Sequence, residues 1–166
     1  MSTPEEIKAL AKRFFDCVEA GDIDGLVACY APGAEIWHNT DELIQGPQDN
    51  RKVLAGMVTR IVDRLYDDRR VEVFPGGFVQ QHVLRGTRVQ DGVRVNLPAC
   101  IVCAVKEGKI IRLDEYFDSA RVADFRKYAS REIIPCPSCA RFPARRSKPR
   151  SSTGTTIGYS ARGSIR

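Results

Sequence analysis

The residues best suited to proton chemistry in this chain are two histidines, one carboxylate and one asparagine. His38 and Asn39 follow the single tryptophan, Trp37, in the stretch AEIWHNTDEL at 34–43. His82 lies in FVQQHVLRG and Glu115 in KIIRLDEYF. If KIIRLDEYF is a strand, Ile111, Leu113, Glu115 and Phe117 share one face. Glu115 is then a carboxylate in an apolar row, a setting that suits it to acid–base work. His38 or His82 is the matching base, and Asn39 can orient a water or a substrate oxygen. In the first stretch, alternation puts Ala34, Ile36 and His38 on one face and Glu35, Trp37 and Asn39 on the other. A bend would let Trp37 or Asn39 share the cavity with His38.

Other chemistries find less support. There is no Gly-rich phosphate loop and no G-x-S-x-G turn for a nucleophilic serine, and no cofactor is expected. The six cysteines include two C-x-x-C pairs. Cys100 and Cys103 fall in an apolar, strand-like run, where residues three apart point to opposite faces, and no metal site is expected from them. Cys136 and Cys139 sit in a polar tail as a pair of oxidisable thiols. In a chain expected to be cytoplasmic, thiols are the expected state.

The net charge of +5 has a local origin. Residues 135–166 contain seven Arg and Lys and no acid, leaving 19 basic against 21 acidic residues before them. Nucleic-acid binding is therefore not expected of the folded part, and only weak, non-specific binding of the tail. No apolar run is long enough to span a bilayer, and the N-terminus lacks a basic-then-apolar leader pattern. A chain of 166 residues suits one domain with a tail. The expected division is 1–130 for the domain and 131–166 for a basic, disordered tail, whose Pro, Arg, Ser and Gly leave little to bury.

The elements that must position the candidate residues are legible in part. Thr3-Pro4-Glu5-Glu6 opens a helix with a capping box. Ile7, Leu10, Ala11, Phe14 and Val18 form its apolar stripe, and Gly21 ends it. Asp22 caps a shorter helix through Leu26, Val27 and Tyr30. A third helix follows Pro47, with Leu54, Met57, Val58, Ile61 and Leu65 on one face. The period then changes to strands at 71–74, 78–89, 93–105 and 109–117, with hairpin turns at Asp91-Gly92 and Glu107-Gly108. Pro98 predicts a bulge or a bend. Residues 119–129 predict a closing helix. The fold class is α+β, a curved antiparallel sheet wrapped around N-terminal helices, with a cavity between them.

RFFDCVEAGDIDGLVACYAPGAEI, followed by strands and EGKIIRLDEYFD, resembles the SnoaL-like, nuclear-transport-factor-2-like cone-fold superfamily over about 4–126. This superfamily includes ketosteroid isomerase and limonene epoxide hydrolase. The resemblance implies a small-molecule cavity and a homodimer through the sheet face. Phe14 stands where the isomerase has its oxyanion-hole tyrosine, His38 where it has its base, and Cys100 near its second oxyanion donor. The hydrolase's Tyr-x-Asn matches Trp37-x-Asn39 and its second catalytic aspartate matches Glu115. Its Arg-x-Asp pair falls on His82 and Leu84. Neither catalytic set is retained.

The expected function is thus a small-molecule-binding protein of the SnoaL-like class. The leading form is a cofactor-free enzyme for proton transfer, hydration, dehydration or isomerisation of an apolar, oxygenated substrate. The alternative is a non-catalytic binding or dimerisation module. Glu115, His38, His82 and Asn39 are the catalytic candidates. Trp37, Phe14, Met57, Leu84, Cys100 and Phe117 are the candidate ligand contacts.

Overall fold

The computed structural model describes residues 2–128; the expected tail and its Cys136/Cys139 pair lie outside them. Helix α1 (Pro4–Ala20) opens as the sequence predicts, with the Thr3 hydroxyl accepting from the Glu6 N–H and the Glu6 carboxylate accepting from the Thr3 N–H. It ends at Gly21, whose φ of 75° is a left-handed conformation that glycine takes without strain. Asp22 caps the short α2 (Ile23–Val27). Then come β1 (Tyr30–His38), β2 (Ile44–Gln45), α3 (Pro47–Arg60), β3 (Ile61–Phe74), β4 (Gly77–Arg88), β5 (Arg94–Lys106), β6 (Lys109–Phe117) and α4 (Ser119–Phe125).

The six strands form one open sheet in the order β2-β1-β6-β5-β4-β3. Strands β3 to β6 are a consecutive antiparallel meander, as expected. The sheet is nevertheless mixed, because β1 runs parallel to β6. The inner face carries the core, including Ile36, Phe78, Ile101, Cys103, Ile110 and Leu113. Against it α1 lays Ile7, Leu10, Ala11, Phe14, Phe15 and Val18. Burying aliphatic and aromatic side chains of this size stabilises by about 1.5–3 kcal/mol each.

Three local expectations change. The third helix stops at Arg60 and not beyond Leu65: Ile61 is already extended (φ −118°, ψ 115°), so helix passes into strand with no loop. Tyr30 belongs to β1, not to the second helix. No register shift occurs at Pro98. Its carbonyl accepts from the Asp118 N–H, on the side where the β5–β6 pairing has run out at Ala99–Phe117. The missing proline N–H points to that same side, so the reciprocal bond to Asp118 cannot form and the ladder ends there. The bulge lies instead on β6, where pairing shifts between Ala104–Arg112 and Val105–Ile110. Ile110 is buried there and Ile111 is exposed.

Strand β3 carries two further irregularities, at Asp63 and Asp68, both with positive φ (50° and 53°). Aspartate is one of the side chains that tolerates this conformation. Arg64, between them, ties the layers together. Its guanidinium donates to the carbonyls of Val18 and Glu19 at the end of α1 and of Val58 and Ile61 at the end of α3. A cation at two helix C-termini also opposes both helix dipoles favourably.

Candidate active site

His38 and Glu115 are register partners on the parallel strands β1 and β6, so their side chains leave the sheet on the same face. Ala34, Ile36 and His38 form the buried row of β1, and Leu113 and Glu115 continue the inner row of β6. His38 Nε2 lies 3.3 Å from Glu115 Oε2, with only 8% and 14% of the two side chains exposed. The His38 ring stacks on Phe117 at 5.7 Å and 10°, which fixes its plane.

Around this pair is a cavity of about 30 Å³, lined by Phe14, Tyr30, Asn50, Leu54 and Tyr66 as well as by His38 and Glu115. That is about one water's share of liquid volume. The Tyr30 hydroxyl donates to Asn50 Oδ1 at 3.1 Å, linking β1 to α3. Burial pushes both tyrosine hydroxyls far up, and the negative charge of Glu115 adds to the effect. Both keep their proton at neutral pH; that of Tyr30 is donated to Asn50, while Tyr66 shares the cavity wall with Glu115.

His82 is buried on β4, edge-on to Phe15 and Tyr66. Gln80 Nε2 lies 3.1 Å from His82 Nδ1. An amide nitrogen can only donate, so Nδ1 accepts and the ring proton sits on Nε2. Burial pushes the imidazole down to about 4, with the Glu115 charge opposing. His82 is a neutral ring at physiological pH.

The remaining expected contacts divide by face. Phe14 lines the cavity and Phe117 backs His38. Met57 and Leu84 are buried in the core but do not line the cavity. Trp37 is on the outer face of the sheet against Tyr116 at 5.3 Å, because strand alternation holds from Ala34 to His38. Cys100 also faces outward while Cys103 is buried inside, as their spacing predicts. Asn39 does not reach the cavity. Its amide donates to the Phe117 carbonyl at 3.1 Å and accepts from the Phe117 N–H at 2.9 Å.

Tyr30, Asn50 and Tyr66 were not among the sequence candidates. Tyr66 falls between the two irregularities of β3, each of which resets the alternation that would have flagged it. Tyr30 lies at the boundary where the apolar pattern reads as helix. Asn50 looks like any first-turn polar residue of a helix.

The α+β cone, an open mixed sheet packed against helices, is the fold of SnoaL/NTF2-like proteins. The chain belongs to the SnoaL-like family: the SnoaL-like domain matches residues 11–113. A search of the curated proteins found no match. Among solved structures it is similar to a candidate isomerase from Bacillus subtilis (12% identity, 76% of this chain, 96% of that one, TM-score 0.67). It is also similar to PrhC from Penicillium brasilianum (15%, 76% and 89%, TM-score 0.66). A third is a candidate polyketide cyclase from Xanthomonas campestris (18%, 69% and 92%, TM-score 0.62). Likeness at these identities establishes the fold; activity is a property of the site.

Proposed function

We propose that this protein binds a small, oxygenated, largely apolar molecule in the cone and moves a proton on it, with Glu115 and His38 as the acid–base pair. The observation that carries the reading is the 3.3 Å contact between the His38 and Glu115 side chains in an interior built, apart from Asn50, of apolar and aromatic groups. The two groups can share a proton and pass it to a bound carbon or oxygen. The Tyr66 hydroxyl supplies a donor for a developing negative charge. Names among the structural relatives, an isomerase and a polyketide cyclase, are compatible with this chemistry. No cofactor is required for such a transfer. His82, neutral and held by Gln80, fits a hydrogen-bond donor better than a base. Asn39 fits a structural part.

The small free volume favours a second reading, a non-catalytic binding or dimerisation module. A cavity of about 30 Å³ admits a larger ligand only if α1 or α3 shifts. The outer sheet face supports a homodimer under either reading, since Val79, Val83, Cys100 and Val102 are only half-buried there beside Trp37 and Tyr116. Apolar faces of this kind mark partner surfaces.

Turnover of a panel of epoxides, enones and hydroxy-ketones, with binding followed separately, tests the enzyme reading. Glu115→Gln should keep binding and lose turnover. Binding with no turnover of any compound by the wild-type chain would favour the module.

A further inference from the structure

Most buried polar side chains of this protein meet one another. His38 meets Glu115, Gln80 meets His82, and Arg88 meets Asp91. Asn50 is the one left half used. It is 3% exposed, and its Oδ1 accepts from the Tyr30 hydroxyl at 3.1 Å. Its Nδ2 has no acceptor among the described residues, and it is not sealed off by protein atoms as Gln80 Oε1 and His82 Nε2 are. Asn50 stands in the wall of the cavity that holds His38 and Glu115, beside Leu54, its neighbour one turn along α3. The polar surface that Asn50 keeps therefore belongs to that cavity.

Tyr30 and Glu115 together decide which end of the amide faces inward. The two orientations of an asparagine amide fill the same space. With Oδ1 on Tyr30, the tyrosine proton is satisfied and the NH₂ group looks across the cavity towards a carboxylate, donor to acceptor. Turned over, the amide would leave the tyrosine proton unpaired and set its own oxygen against the Glu115 oxygens. The first arrangement is favoured at both ends.

We infer that Asn50 holds the carbonyl oxygen of the substrate and is the oxyanion donor of this site, with Tyr30 as its positioning residue. The inference rests on the acid–base reading of Glu115 and His38, and it narrows the substrate to a ketone or aldehyde with a hydrogen on the carbon next to the carbonyl. Glu115 takes that hydrogen as a proton. The C–H electron pair becomes the C=C bond of an enolate, and the C=O π pair moves onto oxygen, where the Asn50 NH₂ group donates. The proton returns from Glu115 to the same carbon or to another carbon of the enolate. The base works from β6 and the donor from α3, on opposite layers of the cone. The free volume of about 30 Å³ suits the carbonyl end, so the alkyl body enters as α3 shifts with Leu54.

The test uses the full-length protein and cyclopentanone labelled with ¹³C at the carbonyl. Methylenecyclopentane, the same shape without the oxygen, is the parallel arm. In the wild-type protein the bound carbonyl carbon should resonate downfield of its position in Asn50→Leu, because a donated hydrogen bond polarises the C=O bond. Asn50→Leu should weaken binding of cyclopentanone relative to methylenecyclopentane by about tenfold. It should lower deuterium exchange beside the carbonyl by about 10²- to 10³-fold, the loss of one oxyanion donor. Tyr30→Phe leaves Asn50 in place without its anchor, and keeps the comparison if Asn50→Leu does not fold. It should give a smaller loss of rate and a carbonyl resonance displaced towards that of the free ketone. Glu115→Gln should stop exchange and leave the carbonyl resonance where it is in the wild-type protein. The two readings therefore fail differently: a carbonyl resonance that depends on Asn50 with no exchange by the wild-type protein would uphold the Asn50 contact and overturn the acid–base reading. No binding of cyclopentanone by the wild-type protein, one carbonyl resonance shared by wild type, Asn50→Leu and Tyr30→Phe, or exchange at the full rate in Asn50→Leu would each overturn the assignment of Asn50.

Discussion

The side-chain amide of Asn39 holds the main chain of Phe117 at both its N–H and its carbonyl, as a strand neighbour would. It does so one residue past the end of β1, where the Asn39 N–H also donates to the Glu115 carbonyl. The arrangement fixes the last turn of the β1–β6 pairing. It also fixes Phe117, against which His38 stacks. Asn39→Ala should therefore cost stability, about 1–3 kcal/mol for two buried backbone groups left unpaired. Urea unfolding of the variant gives the number. An unchanged midpoint would show that water replaces the amide without loss.

The inner row of β1 was legible because nothing interrupts alternation from Ala34 to His38. Asn39 was read as a site residue because a sequence cannot show that a side chain beyond a strand end is occupied by a backbone 78 residues away. The capping box of α1 and the hairpin at Glu107-Gly108 were legible because they are local. The α3–β3 boundary was not: Ile61 and Leu65 continue the helical spacing of Leu54, Met57 and Val58, yet Ile61 is buried in the core and Leu65 is 47% exposed on a strand. Tyr66 was hidden by the irregularities at Asp63 and Asp68, which are set by tertiary pairing.

His82 predicts a pH dependence of stability. In the unfolded chain its ring titrates at the ordinary 6.5, and in the folded chain burial pushes it down to about 4. Between these values the unfolded state binds more protons, so acid favours unfolding. The contribution is fully present above about pH 6.5 and is lost as pH falls towards 4, amounting to about 3 kcal/mol in all. His82→Phe, which keeps an aromatic ring against Phe15 and Tyr66, should flatten the stability profile over that window. Urea midpoints at several pH values for both proteins decide it, and parallel profiles would assign the acid sensitivity elsewhere.

The outer sheet face predicts the oligomeric state. Val102 lies at the centre of the face, paired with Val79 on β4 and Asp114 on β6. Light scattering at micromolar concentration should find a dimer for the wild-type chain and a monomer for Val102→Glu, since a second carboxylate beside Asp114 would be a buried unpaired charge opposing association. A wild-type monomer, or an undisturbed dimer in the variant, would move the interface off this face.

The central claim is that Glu115 and His38 move a proton on a bound molecule. The most direct measurement is deuterium uptake from D₂O into the carbon next to the carbonyl of enones and hydroxy-ketones, read by ¹H NMR. Uptake needs only a proton to leave and return, and so does not depend on knowing the product. The wild-type protein should accelerate exchange in at least one such compound. Glu115→Gln should lower that rate by about 10²- to 10⁴-fold, the span of a general base, with the compound still bound. Exchange at the full rate in Glu115→Gln, or binding of these compounds with no exchange by the wild-type protein, would contradict the claim.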